Sequence, residues 1–273
     1  MEQRDSLGDY CKAMERVETD RRAPMGCPIY VRIDGSRFSA FTRGMRRPYD
    51  ERMSRAMIET TKAIMAAYHC EVGYTQSDEI SLVLFNPEHE THHGGKFQKL
   101  VSRLASKATA MFTLAALDAG LAEFVRRQPP EFDARAHSVP DLEAAAKVLW
   151  WREIDATKNA VSMAASAVCS HRELHGKTQA ERLALLTERG IDFDGYPASF
   201  RRGTFVRRAL EMREMTTDEL AAIPERHRPS GPVPRHRLVE LDMPPLRSID
   251  DKVAALFMAG AIADTVWPVR DAA

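Results

Sequence analysis

Two aspartates offer the chemistry most readily read from this sequence. Asp34 ends the run Ile29-Tyr30-Val31-Arg32-Ile33 just before Gly35, and Asp78 stands beside Glu79 in the polar middle of residues 72–85. Alternating apolar positions, and two β-rich runs around a polar turn, predict a strand and a hairpin. If these are neighbours in one sheet, Asp34 and Asp78 come close at one end of it. Carboxylates held that close repel, and such a pair suits Mg²⁺, a hard cation that takes carboxylate and phosphate oxygens together. Paired ions bridged by aspartates serve phosphoryl and nucleotidyl transfer. Gly35, without a Cβ, would let a phosphate or metal approach the backbone, and its carbonyl could be a third ligand. Asp-Gly is also an ordinary turn and Asp-Glu an ordinary hairpin tip, so spacing alone leaves both readings open.

The elements that must position these groups alternate between helix and strand. Residues 2–22 predict a charged helix with Tyr10, Met14 and Val17 on one stripe, ended by Pro24 and Pro28. Arg43, Arg46 and Arg47 make a basic loop before Pro48, and Asp50 caps a helix over 51–68 with Met53, Met57 and Ile64 facing inward. His89, His92 and His93 read as a solvated loop, because no acidic or cysteine partner completes a metal site. A long amphipathic helix starts at Phe97, residues 132–137 read as a short strand, and Pro140-Asp141 opens a second long helix to about Cys169. His171 and His175 lack the glutamate of a zinc hydrolase, and Gly176-Lys177-Thr178 lacks the earlier glycine of a P-loop. Thr178 and Glu181 instead form a capping box for a helix closed by Gly190.

Residues 200–208 hold the densest basic cluster, with Arg201, Arg202, Arg207 and Arg208. They fit either a charge-protected edge strand or a phosphate-contacting surface. From 209 to 245 the prolines predict an extended tail without long regular elements, followed by a final helix from Ser248 to about Thr265. The predicted fold class is α+β, a sheet covered by helices with the acidic site at its exposed end.

With 44% hydrophobic and 29% charged residues and a formal net charge of zero, the chain is an ordinary globular protein without a whole-molecule field for nucleic acid. Four scattered cysteines indicate neither a zinc site nor a disulfide framework. No leader or membrane span is expected, which makes the cytoplasm the default location.

Several ordered motifs across residues 8–208 resemble the tRNA-histidine guanylyltransferase superfamily. Val31-Arg32-Ile33-Asp34-Gly35 with Phe38 and Phe41 is similar to its first motif. Arg47-Pro48 with Asp50-Glu51-Arg52 is similar to its lysine-proline-asparagine-aspartate segment, and Tyr74 with Gln76-Ser77-Asp78-Glu79 and Ser81 to its serine-aspartate-glutamate motif. Phe132-Asp133, Trp151-Arg152 with Asp155 and Asn159, and Phe200-Arg201-Arg202-Gly203 follow in the family's order.

The resemblance implies a palm-like sheet, as in template-dependent polymerases, run in the 3′-to-5′ direction. With the resemblance confined to about residues 8–208, a catalytic domain is expected over 1–208, and the prolines make 209–273 a C-terminal extension ending in a helix. The activity implied is addition of nucleotides, GTP and others, to the 5′ end of tRNA after ATP activates a 5′-monophosphate. Carried over by position, Asp34, Asp78 and Glu79 would be catalytic, and Asp34, Gly35 and Asp78 would hold two Mg²⁺ ions. Arg32, Ser36, Arg37, Phe38, Arg47, Ser77 and Asn159 would bind nucleotide, with Arg47 in place of a triphosphate-binding lysine. Arg201, Arg202, Arg207 and Arg208 would contact tRNA. A homo-oligomer, commonly a tetramer, is implied as well. Thr157-Lys158-Asn159-Ala160 keeps one asparagine of the eukaryotic histidine-isoleucine-asparagine-asparagine run, and Ser39 replaces a family histidine. Such departures resemble the bacterial and archaeal like-protein branch, associated with templated repair of 5′-truncated tRNA more than with guanosine addition to tRNA-histidine. A nucleotide-cyclase-like palm enzyme and a non-catalytic tRNA-binding protein are the alternatives.

Overall fold

The computed structural model describes residues 6–85 and 92–257. Its centre is one six-stranded antiparallel sheet in the order β4-β1-β3-β2-β5-β6. The strands are β1 (Ile29–Ser36), β2 (Val72–Gln76), β3 (Glu79–Leu84), β4 (Glu131–Ser138), β5 (Thr204–Arg213) and β6 (Val233–Glu240). The helices are α1 (Ser6–Thr19), α2 (Phe38–Phe41), α3 (Glu51–Tyr68), α4 (Phe97–Asp118), α5 (Ala122–Arg127), α6 (Leu142–Val168), α7 (His171–Leu174), α8 (Gln179–Glu188), α9 (Ala198–Arg202), α10 (Thr217–Ala221) and α11 (Lys252–Phe257).

Alternation along the central strands sends side chains to two cores. Val31, Ile33, Ile80, Leu82 and Leu84 face α3 and α4, where Met57, Ile64, Leu100, Leu104 and Phe112 are buried. Tyr30, Val72, Tyr74, Val83 and Phe205 face α6 and the C-terminal segment on the opposite side. A third cluster joins the end of α6 to α8 and α9 through Ala160, Ala164, Leu174, Leu186 and Phe200. The predicted caps form as expected: Asp50 accepts from Arg52 N, Asp141 accepts from Ala144 N, and Thr178 and Glu181 complete a capping box. α4 has the length and composition of a membrane span, yet Leu100, Leu104, Ala108, Phe112 and Ala116 on it are fully buried in the core.

The C-terminal tail is a correction. Residues 204–240 instead build the β5–β6 hairpin, with register from Val206↔Glu240 to Arg213↔Val233. Pro234 is tolerated because β6 pairs on one side only, where a missing N–H need not break a ladder. Beyond it, Leu246, Ile249 and Leu256 are completely buried against α6. The final helix is described over Lys252–Phe257, and its expected continuation to Thr265 lies outside the described residues, as does His89. In the N-terminal helix the stripe of Tyr10, Met14 and Val17 forms but faces outward, and α1 buries no residue.

Candidate active site

The β2–β3 turn consists of Ser77 and Asp78 between the paired residues Gln76 and Glu79. Ser77 adopts a positive φ of 55°, the left-handed conformation that closes tight hairpins. β1 pairs with β3 so that Asp34 faces Glu79, and Gly35 N donates to Asp78 O at 3.0 Å. The strand and hairpin are therefore sheet neighbours, and Asp34 and Asp78 line one cavity of about 340 Å³ with Ser77, Arg152 and Asn159. Burial pushes the Asp78 carboxyl above its ordinary value, a Ser77 hydrogen bond pulls against this, and the Asp34 charge adds to the rise.

Among the described residues no three His, Cys, Asp or Glu side chains converge as a metal-binding group. Two carboxylates whose charges oppose each other, with backbone oxygen beside them, nevertheless fit a hard cation that fills its remaining positions with water or phosphate oxygen. The donor set is open, and it suits Mg²⁺ better than a closed structural ion.

Glu79, expected to be catalytic, lines the same cavity and is paired with arginines. Arg152 Nε donates to Glu79 Oε1 at 2.7 Å, and Arg152 Nη2 donates to Oε2. Arg32 Nε adds a contact at 3.8 Å, and Arg152 also pairs with Asp155 at 3.3 Å. Burial raises the Glu79 carboxyl against the downward pull of Arg152. This bidentate pair ties α6 to the floor of the sheet. Arg152 was visible only as part of a motif, since nothing in spacing says which carboxylate a helix arginine meets.

Gly35 also has a reason that its sequence context did not reveal. A Cβ there would sit 2.3 Å from the Phe38 ring, so glycine is needed to admit that ring. Phe38 is buried among Phe41, Phe112 and Phe132, and it anchors the end of β1 instead of facing the cavity as a nucleotide contact. Arg37, exposed at φ 56°, and Ser36 lie between this anchor and the aspartate.

A second cavity of about 340 Å³ adjoins the first, sharing Gln76, Ser77 and Met163, and Arg43, Arg46 and Arg47 line it. All three arginines are exposed, and their guanidinium groups have no carboxylate partner among the described residues. Their loop is held by groups that sequence reasoning missed. Arg127 Nη2 donates to Phe41 O at 2.9 Å and Arg43 O at 2.7 Å. Asp50, besides capping α3, accepts from Arg46 N at 3.3 Å, and its hydrogen bonds from Arg52 hold its carboxyl below the usual range.

The 200–208 arginines are turned toward the protein. Arg201 donates to Tyr196 O and pairs with Asp194 at 2.7 Å. Arg202 binds Glu153 at 3.1 Å and Met243 O at 3.1 Å. Arg207 is buried and donates to Ala255 O at 2.7 Å, while Arg208 donates to Cys70 O and Met65 O. They do not form one exposed patch. Gly203 between them has φ 82°, and a Cβ would strike the Tyr74 ring at 2.6 Å, while the Tyr74 hydroxyl donates to Arg202 O at 2.7 Å.

These features define an α+β protein whose antiparallel sheet ends at an acidic cavity, adjoined by a cavity rimmed by arginines without a carboxylate partner among the described residues. The family model described as tRNAHis guanylyltransferase matches residues 9–140. The chain is 30% identical to a bacterial tRNA(His) guanylyltransferase (Thg1)-like protein solved with ATP, covering 74% of this chain and 87% of that one at a TM-score of 0.69. A bacterial Thg1-like protein solved with GTP is 27% identical over 89% of this chain and 94% of that one, with a TM-score of 0.68. The tRNA(His) guanylyltransferase of Saccharomyces cerevisiae is 26% identical over 207 residues, 68% of this chain and 84% of its own length. The chain belongs to the tRNA-histidine guanylyltransferase superfamily and matches its bacterial like-protein branch.

Proposed function

We propose that the protein is a Mg²⁺-dependent nucleotidyltransferase that extends the 5′ end of tRNA in the 3′-to-5′ direction on a palm-like sheet. The observation that carries this reading is the continuity of an acidic cavity, with Asp34 and Asp78, and a basic one, with Arg43, Arg46 and Arg47. A triphosphate spans such a boundary naturally, with its tail on the arginines and its reacting end at the carboxylates. The solved relatives with ATP and with GTP support nucleotides of that kind as ligands.

Asp34, Asp78 and the Gly35 carbonyl would hold two Mg²⁺ ions. Bound there, Mg²⁺ neutralises phosphate oxygens and makes a hydroxyl a better nucleophile. Arg47, with Arg43 and Arg46, receives the triphosphate, and Ser77 and Asn159 orient the nucleotide at the cavity wall. Ser36 and Arg37 border the same strand end. Arg152 and Arg32 hold Glu79, which keeps Asp78 on the hairpin tip aimed at Asp34. In this reading a 5′-monophosphate attacks the α-phosphorus of ATP and releases pyrophosphate, and the 3′-hydroxyl of an incoming nucleotide then attacks the 5′-phosphorus and displaces AMP; an end that already carries a triphosphate loses pyrophosphate instead.

Residues 1–208 are the catalytic domain in this reading and 209–273 the extension, of which Leu246, Ile249 and Leu256 pack against α6. Phosphate contacts to tRNA fall to the exposed faces of Arg201 and Arg202 more than to Arg207 or Arg208. Assembly as a homo-oligomer, tetrameric by the family resemblance, is supported by the outward stripe of α1, on which Tyr10 is 62% and Val17 80% exposed.

The test is a 5′-extension assay with Mg²⁺, ATP and labelled nucleotides. The substrates are tRNA-histidine and a second tRNA lacking its first nucleotide, both 5′-monophosphorylated. Extension of the truncated tRNA by the complementary nucleotide alone identifies a templated repair enzyme. Guanosine added only to tRNA-histidine identifies a maturation enzyme. No incorporation on either substrate overturns the reading.

A further inference from the structure

A lined hollow outside the candidate active site lies on the other side of α6. It measures about 410 Å³, within the range of small-molecule sites. Trp150, Glu153, Ile154, Thr157 and Lys158 line it, whereas Arg152, Ala156, Asn159 and Met163 line the active-site cavity. At ~100° per residue these two sets face roughly opposite directions from one helix. The far wall comes from Phe193 and Arg201, and from Pro245 and Arg247 of the C-terminal segment.

Its electrostatics are unbalanced. Lys158, Arg201, Arg202 and Arg247 line the hollow against only two acids, Glu153 and Asp194. Both acids are already committed: Glu153 accepts from Arg202 at 3.1 Å and from Leu246 N at 2.8 Å, and Asp194 pairs with Arg201 at 2.7 Å. Lys158 and Arg247 have no ion pair among the described residues. Trp150, Ile154 and Phe193 supply apolar wall next to these cations. Arg247 acts on Glu153 only at longer range, and cations without an ion pair beside a flat apolar surface suit a phosphate carried on an aromatic ring system.

We propose that this hollow is a second nucleotide-binding site, separate from the aspartate cavity, which takes a phosphorylated nucleoside with Lys158 and Arg247 as its phosphate contacts. The same chemistry is offered by a free nucleotide and by a nucleotide unit of an RNA strand. Because α6 also carries Arg152, occupancy would bear on the helix that braces the hairpin. The inference rests on this cavity and does not require the catalytic reading.

Equilibrium dialysis in EDTA tests it, with labelled ADP and with a uridine hexanucleotide as separate probes. At least one probe is expected to bind, and Lys158→Glu with Arg247→Glu to weaken it about tenfold or more, while Asp34→Asn leaves it unchanged. Dependence seen for ADP identifies a free-nucleotide site, and dependence seen for the hexanucleotide alone identifies an RNA-strand site; either supports the proposal. Thermal melts check that the double variant folds, and exposed Lys158→Gln, expected to weaken binding about threefold, serves if it does not. Binding of neither probe overturns the proposal. So does binding lost in Asp34→Asn but kept in the Lys158 variants, or inorganic phosphate binding as tightly as ADP.

Discussion

Arg43, Arg46 and Arg47 on one loop, and Arg201, Arg202, Arg207 and Arg208 around Gly203, are similar in composition. The first three are exposed at the rim of a cavity with no carboxylate partner among the described residues. The other four each donate to a backbone carbonyl, and two of them also pair with an acid. The carboxylates divide in the same way. Glu79 and Glu153 are engaged by arginines, whereas Asp34 and Asp78 have no arginine or lysine within ion-pair distance among the described residues. A charge answered from within the chain holds the fold, and a charge left unanswered beside a cavity awaits a ligand.

This contrast can be broken most decisively at the aspartates. Asp78→Asn should reduce turnover by about a thousandfold or more, the several kcal/mol that metal charge stabilisation supplies. Its melting temperature should hold or rise, because a buried carboxylate under repulsion has been removed. A drop in melting temperature would show that Asp78 serves the fold instead. Arg152→Ala probes the opposite class, since it leaves Glu79 buried without its partner. Unfolding measurements should show a loss of about 3–5 kcal/mol, and a near-neutral result would mean that the pair is not holding α6 to the hairpin. Arg207→Met should cost about 2 kcal/mol through the lost bonds to Ala254 O and Ala255 O, with tRNA affinity little changed.

The smaller effects sharpen the comparison. Arg47→Ala should raise KM for the nucleotide about tenfold with an unchanged melting temperature, a loss of ~1.4 kcal/mol of binding read from steady-state kinetics. The pH response follows from the raised Asp78 carboxyl, lifted by burial first and by Asp34 second. A raised carboxyl favours the protonated fold, so its contribution is full below the ordinary value of 3.8 and is lost as pH rises through the raised value. In metal-free melts from about pH 4 to 7, the advantage of Asp78→Asn over the parent should therefore grow with pH and then level off. A difference independent of pH would remove the titration from the explanation.

Much of this was legible in the chain because local chemistry and final structure agree. Asp50 reads as an N-cap and is one, Met53, Met57 and Ile64 read as one inward stripe and are buried, and the 72–85 run reads as a hairpin and is one. The readings that changed depend on partners distant in sequence. Pro234 argues against a strand until β6 is known to be an edge, and Arg207 looks like a phosphate ligand until Ala255 O is found beside it. Phe38 sits next to the aspartate in sequence, but its ring belongs to a cluster completed by Phe112 and Phe132. Gly35 shows how a motif residue can be kept for packing as well as for ligand access.

Arg152 and Glu153 are consecutive on α6, yet one is fastened to β3 through Glu79 and the other to α9 and Leu246 N through Arg202 and a direct bond. A helix pinned by adjacent residues to two different bodies cannot roll or slide without breaking one fastening. The wall that α6 gives the candidate active site is thus a fixed jaw. The 42–50 loop, which lines the adjoining cavity, is held by Arg127, by Asp50 and by the Tyr49 ring stacked on Phe200. The enclosure therefore has one wall braced from two sides by α6 and another that displays the unanswered arginines.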